Sequence, residues 1–255
     1  MIVFKYGGHA ISELDQRDPI LNLLAKSIAG GERIVLVHGG GPQINRELEV
    51  HAIKSEMISG LRRTTPEVFA VVQRTLSGEV LRNLVNQLIG FGVNAIGISA
   101  GDGKLIRAKI TNPEIGLVGE VSEIDISLLV TLLNQGLTPV VSPVGVTGGG
   151  IGVNMNADLV AGAIGGAMAA DSVLFSTDVA GIYRNWPDAD SVIDEIRVDE
   201  LIEISREFEG GMIPKAEAGI SAIKAGAKSV RIFDGRSVAG VQAALANSGG
   251  TLVVA

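Results

Sequence analysis

Short β-branched runs recur along the chain, separated by stretches in which apolar residues return every three to four positions. The runs are IVF near residue 2, RIVLV near 33, NAIGIS near 94, TPVVS near 138, DSVLFS near 171, SVRIF near 229 and TLVV near 251. Unbroken apolar strands of this kind suit a parallel sheet buried on both faces. Helical spacing marks PILNLLAKSIA from Pro19 and a long tract, TPEVFAVVQRTLSGEVLRNLVNQLIGFG, from about residue 65, with Ser77-Gly78 as its weak point. ISLLVTLLNQG stops at Gly136, a C-cap signal, and AEAGISAIKAGA and VAGVQAALANSG are further helices. The alternation predicts an α/β chain around a mostly parallel sheet covered on both faces. Two segments break it: residues 104–121 and 143–154 predict β-hairpins projecting from the sheet. With no linker in view, a soft boundary near residue 175 divides two lobes, 1–175 and 176–255, that share one continuous sheet.

Composition narrows the function classes. The 255 residues are 46% hydrophobic and only 4% aromatic, so the core must rest on Val, Ile, Leu and Ala. A net charge of −7 argues against nucleic acid as the main partner. There is no cysteine, which excludes disulfides and thiolate catalysis, and His9, His38 and His51 lack a metal-binding spacing. The opening run MIVF is too short for a signal or membrane anchor, and the small-residue run at 159–170 is shorter than a span. A soluble, cytoplasmic protein with no membrane partner is expected.

The candidate chemistry lies where strands run into glycines. IVFK leads into YGG, IVLV into HGGGPQ (His38 to Gln43) and VLFS into TDVAG (Thr177 to Gly181). Such turns, backed by a helix N-terminus, present successive N–H groups to an anion, beyond the carboxyl ends of the strands. The chain lacks GxxxxGK[ST], and HGGGP is not GxGxxG, which excludes a P-loop and argues against a dinucleotide site. Taken alone, KYGGHA and HGGGP fit tight turns as well as anion sites. In NMNAD, Asn156 is a candidate N-cap, and Asp158 either complements the helix dipole or serves a ligand. In GGMIPK, Lys215 falls near a helix N-terminus, where a cation is unfavourable unless an anion is present. Arg62-Arg63 is either a solvated edge or a guanidinium fork for a carboxylate.

In this order, KYGG, VHGGGPQI, SGLR, VNMNAD, STDVAGIY and GGMIPK resemble the amino acid kinase family, and within it the members acting on N-acetyl-L-glutamate. DGKLIRAK and GLVGEV are similar to that family's internal hairpin. The resemblance implies a three-layer αβα sandwich with hairpins near the substrate site. The N-terminal lobe would bind the amino acid and dimerise, and the C-terminal lobe would bind ATP. The implied reaction is ATP-dependent phosphorylation of the side-chain carboxylate of N-acetyl-L-glutamate to an acyl phosphate, in arginine biosynthesis.

Carried over by motif, Lys5 and Lys215 would stabilise the transition state, Asp158 would orient both, and Gly8, Gly40 and Gly41 would offer N–H groups to phosphoryl oxygens and substrate. Arg62 would pair with the α-carboxylate and Asn154 with the acylated amino group. Asp178, Val179, Ala180, Gly181, Ile182 and Tyr183 would line the nucleotide site, with Phe208 and Glu209 beside them. Mg²⁺ would be held mainly through ATP phosphates, with no dedicated protein ligands.

Three positions depart from the family pattern: His9, Arg63 after GLR, and Val153 where an aromatic is common. His9 either donates to a phosphoryl oxygen or faces solvent, and Arg63 opens a larger or more acidic substrate, such as an N-acyl-aminoadipate, as the alternative. A catalytically idle amino-acid sensor is the other alternative, opposed by the retention of Lys5, Asp158 and Lys215. Arginine-sensitive members carry a helix before the first strand; this sequence begins at the strand, so a homodimer without strong arginine inhibition is expected.

Overall fold

The apolar runs pair as their pattern requires. In the computed structural model, which describes residues 1–8, 11, 17–186, 188–208 and 212–255 (without the side chains of 189 and 214), the strands are β1 (Ile2–Tyr6), β2 (Ile34–His38), β3 (Met57–Ile58), β4 (Leu61–Arg62), β5 (Ala95–Ser99), β6 (Ile106–Lys109) and β7 (Val118–Ile124), then β8 (Thr138–Ser142), β9 (Val144–Thr147), β10 (Gly152–Met155), β11 (Ser172–Thr177), β12 (Glu195–Arg197), β13 (Val230–Asp234) and β14 (Thr251–Val254). The helices are α1 (Pro19–Ala29), α2 (Gly41–Val50), α3 (Pro66–Gln73), α4 (Leu81–Gly90), α5 (Ser127–Asn134), α6 (Ala157–Ala167), α7 (Val198–Ile204), α8 (Met212–Lys224) and α9 (Val238–Leu245). His9 and Glu209 lie outside the described residues.

Eight strands form one sheet in the order β12-β14-β13-β11-β1-β2-β8-β5. Its six strands from β13 to β5 are parallel, and β14 runs antiparallel to β13, with β12 parallel to β14 at the edge. Strands from both sides of residue 175 therefore share the sheet. Successive side chains alternate faces, and both faces are buried. Val3, Val37, Val141 and Phe175 pack into one core with α5, α6, α7 and α8. Phe4, Tyr6, Leu36 and Val140 pack into the other with α1, α4 and α9. Because β1, β2, β8 and β11 are parallel, their carboxyl ends reach the same edge, where the glycine turns begin.

The predicted hairpins are present, β6 with β7 and β9 with β10. They do more than project: β6 pairs with β9 and β7 with β10, closing a four-stranded barrel. Val153 is fully buried there, and a side chain at Gly119 would strike it. That close fit explains a small residue at Val153. Most of the small-residue run at 159–170 lies in α6, which ends at Ala167 and is pressed between the sheet and α8. A Cβ on Gly162 would fall 2.6 Å from Ala218 O, and one on Gly165 would fall 2.2 Å from Val173 Cγ2. The weak point at Ser77-Gly78 lies within a π-helical turn, Arg74–Val80, between α3 and α4. Such turns cluster at functional sites, and this one presses Leu76 against Gly40.

Beneath the first glycine turn, the Tyr6 hydroxyl donates to Asp18 Oδ2 at 2.5 Å. Asp18 also caps α1, accepting from Ile20 N at 2.9 Å, and its own N–H donates to Gln87 Oε1 of α4. Tyr6 and Asp18 are both buried, so the hydroxyl cannot be replaced by bulk water. Tyr6→Phe leaves the Asp18 carboxylate one donor short and is expected to cost about 1–3 kcal/mol in urea unfolding. A loss below about 0.5 kcal/mol would show that the hydroxyl carries no weight.

Candidate functional site

Lys5 shares the face of β1 that carries Val3, the face on which α6 packs. Its ammonium is delivered to the N-terminal turn of α6, where Asp158 sits. Asn156 starts that helix as predicted, its Oδ1 accepting from Asp158 N at 2.8 Å and Leu159 N at 3.2 Å. Lys5 Nζ lies 2.9 Å from Asp158 Oδ1, and Lys215 Nζ, from the first turn of α8, lies 3.7 Å from Oδ2. All three side chains are largely buried, at 9%, 7% and 16% exposure for Lys5, Asp158 and Lys215. Two cations from opposite ends of the chain thus share one carboxylate in a largely desolvated place.

The three line a cavity of about 310 Å³ together with Gly8, Gly40, Gly41, Arg62 and Asn154. Every candidate catalytic and substrate-binding residue from the sequence therefore meets at one site. The two glycine turns touch there: a Cβ on Gly8 would fall 2.8 Å from Gly40 N and 3.0 Å from Gly41 N. Only glycine permits that approach, and Gly41 opens α2, whose first N–H groups have no intrahelical acceptor. A larger groove of about 920 Å³ runs between α6, α8 and β7 and shares Leu61, Val118 and Asn156 with the cavity. Its lining is mainly apolar and includes neither lysine, so the chemistry sits in the smaller one.

Arg62 enters the cavity from β4, a two-residue strand the hydrophobic pattern did not foretell. Its Nη2 donates to Asn45 Oδ1 at 2.6 Å, and it has no ion-pair partner among the described residues. Burial pushes its guanidinium pKa down from its ordinary value. Thr64 Oγ1 donates to Arg62 O and accepts from Asn154 Nδ2 at 3.2 Å, tying the hairpin to the barrel rim. Asn45 and Thr64 escaped sequence analysis. The available clue to Asn45 was its place one helical turn after Gly41, on the same face of α2. Arg63 points elsewhere: its Nη1 lies 3.5 Å from Glu56 Oε2 at the surface.

The candidate nucleotide residues form a second group that does not line this cavity. Asp178, Val179, Ala180, Gly181, Ile182 and Tyr183 leave the carboxyl end of β11, where Thr177 Oγ1 accepts from Val179 N and Thr251 Oγ1 accepts from Ile182 N. Tyr183 stands edge-on to the exposed Trp186, ring centres 4.9 Å apart. Trp186 also went unnoticed in the sequence. Phe208 packs partly buried against the α6–α8 core. No group of three or more His, Cys, Asp or Glu among the described residues could hold a metal ion. No helix among them is long and apolar enough to cross a membrane.

Burial alone would push the Asp158 carboxyl up, but Lys5 and Lys215 outweigh it and hold the group below the usual carboxylate range. A folded value below the unfolded one means that ionisation stabilises the fold above the unfolded value and that this gain is lost as pH falls through the folded one. The Tm advantage of wild type over Asp158→Asn should be full at neutral pH, hold down to about pH 4, and close below it. A gap that stays constant down to about pH 2 would contradict this assignment of charge.

Comparisons with known proteins bear on the family and the fold. Residues 1–234 match the family model described as "Amino acid kinase family". A Carboxydothermus hydrogenoformans protein named acetylglutamate kinase is 41% identical over 248 residues, covering 92% of this chain and 84% of that one. Its Deinococcus radiodurans namesake is 40% identical, covering 99% and 100%. A solved Streptococcus mutans UA159 structure superposes with a TM-score of 0.83 at 27% identity, covering 99% and 98%. Carbamate kinase from Giardia lamblia, at 17% identity and a TM-score of 0.76 over 99% and 97% of the two chains, shares the fold. With a carboxylate holding two lysines beside paired glycine turns, and with matches running nearly the whole length, the chain belongs to the amino acid kinase family.

Proposed function

We propose that the chain transfers the γ-phosphoryl group of ATP to the side-chain carboxylate of N-acetyl-L-glutamate, forming an acyl phosphate in arginine biosynthesis. The observation that carries this reading is the Lys5–Asp158–Lys215 contact in a cavity that also holds Arg62 and Asn154. Relatives about 40% identical, named acetylglutamate kinase, support the choice of acceptor. A glutamate side chain has a pKa of about 4.3 and is already a nucleophile at neutral pH, so no catalytic base is required. The obstacle is repulsion between that anion and a triphosphate. Phosphoryl transfer is catalysed mainly by positioning and by neutralising charge on the migrating group. Lys5 and Lys215 supply the positive charge, Asp158 holds them in place, and the N–H groups of Gly8, Gly40 and Gly41 meet the phosphoryl oxygens.

Arg62, steadied by Asn45, takes the α-carboxylate, and Asn154, steadied by Thr64, takes the acylated amino group. Because Arg63 is turned toward Glu56, the feature that favoured a larger acceptor is withdrawn, and N-acetyl-L-glutamate is preferred over an N-acyl-aminoadipate. Residues 1–175 act as the acceptor lobe and 176–255 as the ATP lobe, with Asp178 to Tyr183, Phe208 and Glu209 around the nucleotide. Mg²⁺ would be carried on the ATP phosphates and would offset part of their charge. Asp158, the carboxylate among the described lining residues, is already engaged by two lysines, which fits a metal held through the nucleotide. The enzyme works in the cytoplasm as a homodimer.

Hydroxylamine trapping should give an acyl hydroxamate with ATP and N-acetyl-L-glutamate, far less with N-acetyl-aminoadipate, and none without acceptor. Lys5→Ala and Lys215→Ala should each lower kcat by about 10²–10³-fold with the fold retained. No trapped product with any acceptor would falsify the kinase reading, and near-full turnover in Lys215→Ala would remove that residue from it. Light scattering should return twice the 26.4 kDa of one chain, and a monomer or hexamer would refute the dimer.

A further inference from the structure

His38 ends β2 and begins the HGGG turn, and it is fully buried. Its Nδ1 lies 2.8 Å from Gly39 O. A carbonyl oxygen only accepts, so Nδ1 carries the proton and donates. The neutral ring then leaves Nε2 bare, and Nε2 is buried with no hydrogen-bond partner among the described residues. Burial pushes the imidazole down to about 4, against the opposing pull of the Gly39 bond, so the ring is neutral near pH 7. An apolar side chain would fill this place without stranding a buried acceptor. What the imidazole adds is the Nδ1–H.

That bond acts on the turn. Gly39 N donates to Tyr6 O at 2.8 Å, so Gly39 is pinned through its amide by β1 and through its carbonyl by His38. In a planar trans peptide the C=O and the following N–H point in opposite directions. Drawing Gly39 O back onto the imidazole therefore turns the Gly40 N–H away from β2. Gly40 N packs against Gly8, and both glycines line the cavity. We propose that His38 is a positioning residue for phosphoryl transfer, fixing the Gly39–Gly40 peptide through its Nδ1–H so that the Gly40 N–H faces the migrating group. This role rests on the kinase reading above.

The test compares His38→Asn, His38→Gln and His38→Leu in the hydroxylamine assay, with Tm measured for each. The Asn amide nitrogen superimposes on Nδ1, whereas the Gln amide reaches the Nε2 position. Asn should keep kcat within about tenfold of wild type, while Gln and Leu should lose about 100-fold in kcat with KM for N-acetyl-L-glutamate nearly unchanged. Equal losses in Asn and Gln, or near-wild-type kcat in Leu, would overturn the proposal. If Leu fails to fold, the Asn–Gln pair decides. On the ¹⁵N-labelled wild-type chain, long-range ¹H–¹⁵N spectra should show a protonated Nδ1 and a bare Nε2 for His38; the opposite tautomer would also overturn it. An inactive wild type with the expected tautomer would instead sink the kinase reading and the role built on it.

Discussion

One carboxylate shared by two buried lysines organises this site. Taking three charges out of water is costly, and mutual attraction in a low-dielectric place recovers that cost only with close contact. Asp158 provides it by standing at the start of α6, between the end of β1 and the start of α8. Asp158 is the carboxylate that touches both lysines among the described residues, and a phosphoryl group entering the cavity beside them meets two cations. Asp158 is also the anion that lets Lys215 stand in the first turn of α8, against the helix dipole.

The glycine turns answer a steric version of the same demand. Backbone N–H groups can converge on a small anion only if the two loops touch, and the Gly8 to Gly40 approach leaves no room for a Cβ. Their foundations are polar and buried. Tyr6 is tied to Asp18 on one strand end, and His38 to Gly39 on the next. The loops therefore rest on rigid, parallel strands and reach the cavity already oriented.

Much of the fold was legible because its signals are local. Continuous apolar strands, helix-period tracts and glycine stops gave the αβα layering, and Asn156 announced the start of α6. Very short elements escaped. β3 and β4 have two residues each and β12 has three, too few for a period to register. The barrel was seen only as hairpins, since its closure depends on β6 meeting β9 and β7 meeting β10, contacts that no local pattern encodes. Asn45 and Thr64 were missed for a similar reason: each matters through a partner supplied by another element.

By itself the sequence determined which chemical groups are available: lysines, a carboxylate, glycine turns and an arginine pair, each at a strand end or helix start. Motif resemblance assigned the α-carboxylate to Arg62, but residue type alone does not separate it from Arg63, a chemically identical neighbour. The tertiary structure separated them, sending Arg62, the last residue of β4, into the cavity beside Asn45 and Arg63, just past the strand, to Glu56 at the surface. It likewise decided that Asp158 serves two lysines from opposite ends of the chain rather than merely its own helix dipole. Local propensity fixes where an element begins; which groups share a desolvated space is settled only when parallel strands bring their carboxyl ends to one edge.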